Sequence, residues 1–148
     1  MKAAAEILLF ASVAMNAALL TFIAGVLRKV MNDMDAPTFK HFVGSLVSQS
    51  RKSPFMLIIL NVPFIGAIPY IYFYGIRDRW IMTGLAVWLA AGVAAKILKL
   101  PVYSKIVTLD EADAVQLAQE RKRLNNGNLL QATLDSAAAI LMSLTFVR

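Results

Sequence analysis

Apolar and polar positions fall into long blocks along this chain. Four blocks are almost wholly apolar, at residues 7–27, 54–76, 80–100 and 129–147. The first alone makes about 31 Å of helix at 1.5 Å per residue. That length crosses a hydrocarbon core and exceeds the apolar part of a secretory leader. The blocks predict four membrane-spanning helices. Ser53 and Pro54 supply an N-cap and a first-turn proline for the second. Asn61, Pro63 and Pro69 lie inside it, and each proline removes a backbone hydrogen bond, so a kink is expected there. Tyr70, Tyr72, Tyr74 and Trp80 have the placement of an interfacial aromatic belt. Residues 75–79 form a short turn, which makes spans two and three an antiparallel hairpin. Ala17, Thr21 and Gly25 place small residues four apart on span one, a face that lets another helix approach. Pro101 is expected to stop span three.

The two long connections are polar but keep a helical period. In residues 28–53, Asp35 is an N-cap with Pro37 in the first turn, and Phe39, Phe42, Val43, Leu46 and Val47 form one stripe. In residues 101–130, Thr108 and Glu111 have capping-box spacing. Ala114, Leu117, Ala118 and Leu124 then make a second stripe that ends near Asn126-Gly127. Two amphipathic helices follow, lying flat on the membrane or across the ends of the spans. The fold class is therefore all-α: one integral membrane domain over residues 1–148, a four-helix bundle with two cytoplasmic amphipathic helices. The order span, connection, span occurs twice in the same direction, with Asp35 and Asp110 75 residues apart. Both a pseudo-twofold along the membrane normal and a coincidence of four-helix architecture produce that pattern.

Composition agrees. Hydrophobic residues make up 59% of the chain and mean hydropathy is +0.64, whereas soluble domains run nearer 45–50% apolar. The net charge of +6 sits at the ends of apolar runs. This is the pattern of topology signals and anionic-lipid contact, and nucleic acid is not an expected partner. Residues 28–53 and 96–128 carry 5 and 6 of the 15 lysines and arginines. The long connections are thus expected in the cytoplasm and both termini outside, in an inner or plasma membrane. Arg28, Lys29, Arg121, Lys122 and Arg123 are the expected headgroup contacts. The chain has no cysteine and a single histidine, His41. It carries no metal-ligand spacing, phosphate loop or dinucleotide fingerprint, so no metal or cofactor is expected.

Candidate chemistry lies inside the spans. Asp135 is a carboxyl group about one and a half turns into span four, where an unpartnered charge costs a few kcal/mol. Asn128, Gln131 and Asp135 follow at i, i+3 and i+7 and form one polar stripe. With the intramembrane amides Asn16 and Asn61 they are candidate lining for a ligand pocket, with Asp135 as base or anchor. The structural alternative pairs Asp135 with Lys96, Lys99 or an arginine. Asn16 and Asn61 equally suit interhelical hydrogen bonding, and His41 suits either general base work or an exposed helix face.

The layout resembles a known family. Gly25-Val26, Val30-Met31, Asp35-Ala36-Pro37-Thr38-Phe39 and Ser53-Pro54-Phe55 carry one half of the resemblance. Leu100-Pro101-Val102-Tyr103, Asp113-Ala114 and the stretch from Arg121 to Asn128 carry the other. Together they resemble the four-span family, largely of unknown function, that includes the anthrone oxygenases. The resemblance implies oxidation of a hydrophobic aromatic anthrone without metal or flavin, by a base and a dry pocket. The family pattern before span four reads Trp, Asn, Arg. Asn128 matches the Asn, Gln131 stands at the Arg, and residues 119–124 hold no Trp. Two functions follow as expectations. One is a non-catalytic subunit or interaction module of a membrane assembly, in contact with the lipid bilayer and with a protein partner or a second copy of the chain. The other is a small-molecule-binding protein or cofactor-independent oxygenase.

Overall fold

The computed structural model describes residues 1–147 and is all-helical, with no strand among them. Helix α1 (Lys2–Phe22) passes through a π-helical turn (Ile23–Leu27) into α2 (Arg28–Asp33). Then come α3 (Ala36–Lys52), α4 (Pro54–Tyr74), α5 (Arg79–Leu98), α6 (Leu100–Thr108) and α7 (Ala114–Ser143), which ends in a 3-10 turn (Leu144–Val147). Four helices are long and apolar enough to cross a membrane: Lys2–Asp33, Pro54–Tyr74, Arg79–Thr108 and Ala114–Val147.

Local chemistry sets the starts. Asp35 accepts from the Thr38 amide at 2.9 Å to cap α3, and Ser53 accepts from Met56 to cap α4. Asp78 accepts from the Trp80 and Ile81 amides to open α5. Gly75 closes α4 at φ 71, a left-handed conformation that a glycine adopts without strain.

Two expected boundaries are different. Pro101 does not stop the third span. It sits in the first turn of α6, where proline is tolerated, and Lys99 between α5 and α6 keeps helical dihedrals, so the chain runs on into α6. Likewise Thr108 and Glu111 do not cap a helix. Asp110 accepts from the Ala112 amide in a turn, and Asp113 caps α7 through the Gln116 amide. There is no separate second amphipathic helix, because α7 continues through Asn126-Gly127 into the fourth apolar block. The two halves of the chain therefore connect their spans differently: by the separate helix α3 in the first, and by a turn between continuous helices in the second.

Helix α7 is the axis of the bundle. It packs along α5 and α1, and its first half also meets α2, α3 and α6. The α5–α7 approach is very close. A Cβ at Gly84 would press on Met142 Cγ and stand 2.9 Å from the Ala138 carbonyl oxygen. Ala17 of α1 and Ala24 of the π-helical turn are buried, and Thr21 meets Ser136 of α7 at 3.4 Å, while Gly25 faces open space. One apolar cluster, with Leu9, Val13, Leu85, Trp88 and Met142, fills the end of the bundle near the N-terminus. A second, with Met31, Phe39, Val43, Ile106 and Leu124, fills a helical layer at the other end. The layer is built by three helices that are longer than a bilayer's hydrocarbon core is thick. Thirty residues make about 45 Å of helix against a core of about 30 Å.

Helix α4 is the least buried span. It leans on α1 and touches α5 through Phe64, whose ring lies 4.4 Å from that of Trp88. Pro63 has no N–H for the Ile59 carbonyl one turn earlier. Asn16 of α1 donates to that carbonyl at 2.7 Å and to Ser12 of its own helix at 3.3 Å. The side chain thus restores a backbone bond that the proline removes.

This pairing has a double-mutant consequence. Asn16→Ala should lower stability in detergent by about 1–3 kcal/mol, because a buried carbonyl loses its donor. Pro63→Ala in the same chain should recover most of that loss. Thermal unfolding of the four proteins measures it, and simple additivity would contradict the pairing.

Candidate functional site

The bend before Pro101 places Lys99 against α7. Its backbone stays helical, with the amide bonded to Ala95 and the carbonyl accepting from Tyr103. The side chain lies across Gly127, where an added Cβ would come within 2.8 Å of Lys99 Cγ. Glycine is what lets the aliphatic stem lie on the helix. The ammonium then donates to Gln131 Oε1 at 2.7 Å, one turn beyond Gly127. Asp135 lies a further turn along the same face and interacts electrostatically with Lys99. The two form no ion pair within 4.0 Å among the described residues. Lys99, Asn128 and Asp135 are all buried, and Oδ1 of both Asn128 and Asp135 has no hydrogen-bond partner.

The structure therefore brings together Asn128, Gln131 and Asp135 and adds Lys99. Lys96, one turn earlier, is exposed. Asn16 is buried but committed to Ser12 and Ile59. Asn61 is exposed on α4 and donates to Leu57 of its own helix at 2.7 Å, away from any enclosed lining. Of the cations that the sequence set against Asp135, Lys99 is the one that faces it.

A second polar set organises the helical layer. Arg121 points inward. Nη1 donates to the carbonyls of Asn32 and Met34, and Nη2 to that of Asp35. Its guanidinium lies 4.3 Å from the centre of the Phe39 ring. One planar cation thus satisfies orphan carbonyls at the end of α2 and ties the α2–α3 turn to α7. Asn125 donates to Asn32 at 2.9 Å beside it. Glu120 is buried, and its Oε1 accepts from Lys105 at 2.6 Å and from Arg123 at 3.1 Å. Of the expected headgroup contacts, Arg121 and Arg123 are thus engaged within the protein, while Arg28, Lys29 and Lys122 are exposed. Their spacing carried the signal: Leu117, Arg121, Leu124, Asn125 and Asn128 share the buried face of α7.

Two open cavities lie in this layer. One, of about 330 Å³, runs between α3 and the α6–α7 turn and is lined by Lys40, His41, Ser45, Gln49, Val107 and Glu111. The other, of about 240 Å³, lies between α2 and α7 and is lined by Arg28, Asn32, Arg121, Lys122, Asn125 and Asn126. Among the described residues no group of three or more histidines and carboxylates is placed to hold a metal ion. No family model, curated protein or solved structure matches this chain.

Two outcomes test this geometry. Lys99→Met removes the cation facing Asp135 and the donor to Gln131. It should cost about 1–3 kcal/mol, as loss of a hydrogen bond from a charged donor does. Adding Asp135→Asn should recover a large part of that, whereas additive losses would show that the two groups do not interact. The second outcome concerns pH. Asp35 lies outside the spans, and hydrogen bonds from the Thr38 side chain and amide, with the charge of Arg121, hold its carboxyl below its ordinary value of 3.8. A lowered carboxylate contributes stability above its ordinary value and loses it as pH falls through the lowered one. Below pH 3.8 the melting temperature should therefore fall more steeply in the native chain than in Asp35→Asn. Equal slopes would contradict the cap.

Proposed function

We propose that this chain is a non-catalytic, multi-pass interaction module of a membrane. Its four spans hold a basic helical layer at one membrane face, and that layer is the working surface. By the distribution of lysine and arginine the layer lies in the cytoplasm and both termini lie outside. α3 rests along the membrane surface and carries Arg51 and Lys52 in its last turn. One observation carries the reading. Asn16, Asn61 and Gln131 are used in bonds within and between helices, while both open cavities lie in the layer.

A second reading is favoured by Lys99. The resemblance to the anthrone oxygenase family calls for a cation where Gln131 stands, and the Lys99 ammonium touches Gln131. In this reading Asp135 takes a proton from the activated carbon of an aromatic substrate, and Lys99 stabilises the carbanion that meets oxygen. The unpaired Oδ1 of Asp135 supports it.

Site-specific photo-crosslinking in native membranes separates the two. Crosslinkers at Ser48 and Gln119, both exposed in the layer, should give one protein adduct of fixed mass, lost in Arg51→Glu/Lys52→Glu. A crosslinker at Ile65, exposed on α4, should give none. No layer adduct, together with an anthrone-dependent oxygen uptake that Asp135→Asn abolishes in a folded protein, would overturn the module and establish the second reading.

A further inference from the structure

The cavity between α2 and α7 has a composition that the bundle does not need. Three cations line it, Arg28, Arg121 and Lys122, with the amides of Asn32, Asn125 and Asn126, and no carboxylate. Arg28 and Lys122 are exposed and form no ion pair among the described residues. Asp35, which interacts electrostatically with Arg121, already accepts from Thr38.

Two buried atoms in the lining lack partners. Arg121 spends both terminal nitrogens on carbonyls, yet its Nε–H donates to nothing. Asn125 is 6% exposed and donates to Asn32, while its Oδ1 accepts from nothing. The lining therefore offers a free donor beside three positive charges, and a free acceptor next to it. The complementary ligand is an anion that also carries a donor. A carboxylate answers only the cations. A phosphodiester bearing hydroxyl groups answers both.

Depth narrows the source. Arg28 directly follows the apolar block of residues 7–27, and Asn126 lies three residues before the block of 129–147, about 4.5 Å of helix. The cavity therefore opens where spans one and four leave the hydrocarbon, at the level of lipid phosphates. Its volume of about 240 Å³ is the bulk of about eight waters, and a phosphate with a short polyol fits it.

We infer that the cavity between α2 and α7 binds a hydroxyl-bearing phosphodiester, as carried by the headgroup of phosphatidylglycerol. Arg28 and Lys122 hold the phosphate with Arg121 Nε, and Asn125 Oδ1 accepts from a glycerol hydroxyl. The inference rests on the reading of the basic layer as the working surface.

The test is native mass spectrometry of the full chain in mild detergent, titrated with dioleoyl phosphatidylglycerol or dioleoyl phosphatidylcholine. The native chain should retain phosphatidylglycerol in preference to phosphatidylcholine. Arg28→Gln/Lys122→Gln should weaken phosphatidylglycerol binding at least about ten-fold, as loss of hydrogen bonds from charged donors does. Both residues are exposed and unpaired, so the melting temperature should hold. Arg51→Gln/Lys52→Gln removes the same charge outside the cavity and should bind as the native chain does. Equal binding by the native chain and the cavity variant overturns the site. So does an equal loss in both variants, which would assign the lipid to the charge of the whole layer. If the site fails while the layer crosslinks persist, only the cavity falls. A final arm adds sn-glycerol 3-phosphate. Displacement of the lipid upholds the phosphoryl site and makes a free phosphate ester a source, and no displacement upholds it with the bilayer as the source.

Discussion

Hydrocarbon supplies no hydrogen bonds, so polar groups within a span depend on the protein for their partners. Most of this bundle follows from that constraint. Pro63 strips the Ile59 carbonyl of its donor, and Asn16 replaces it from the neighbouring helix. Lys99 is carried into the bundle by a bend and meets Gln131 instead of water. Tyr70 and Lys2 both engage the buried Glu6 at the other end of α1. These bonds join α1 to α4 and the α5–α6 bend to α7. Between lipid-like side chains, where hydrophobic burial gives little net drive, such bonds and close packing are what associate helices. Gly84 and Gly127 provide the close packing, each at a point where a methyl group would meet another helix.

The same helices build the layer beyond the spans. α1–α2, α5–α6 and α7 are longer than a hydrocarbon core is thick, and their ends lie side by side with α3 packed over them. This part has its own apolar cluster and its own polar lock. Arg121 holds three carbonyls of the α2–α3 turn, and Glu120 draws Lys105 and Arg123 together. The layer's charge is thus divided. Some cations are structural and turned inward, and others, Arg28, Lys29 and Lys122 among them, stay exposed.

Much of this was legible in the sequence. Four apolar blocks gave the four span candidates, and Asp35 and Ser53 marked helix starts correctly, because caps act over three or four residues. What failed was continuity. Pro101 and Asn126-Gly127 read as breaks, yet a proline is harmless in a first turn, and Gly127 is a packing contact for Lys99 instead of a helix end. Neither fact is local. The candidate site was partly legible for a related reason. The period of α7 placed Asn128, Gln131 and Asp135 on one face and set Lys99 among the cations that could meet Asp135, but nothing along the chain showed that its ammonium would donate to Gln131, 32 residues away. Arg121 was read as a headgroup contact because three basic residues in a row suggest an exposed face, although its position on the Leu117–Leu124 face turns it inward.

The central claim is a bundle whose α3 layer and whose termini lie on opposite membrane faces. The chain contains no cysteine, so single cysteines at Lys2, Ser48, Arg77 and Gln119 can each be probed with a membrane-impermeant maleimide in intact vesicles of known orientation. Ser48 and Gln119 should label from one side, and Lys2 and Arg77 from the other. Labelling of Ser48 and Arg77 from the same side would contradict the four-span arrangement, and with it the separation of a basic layer from the bonded interior.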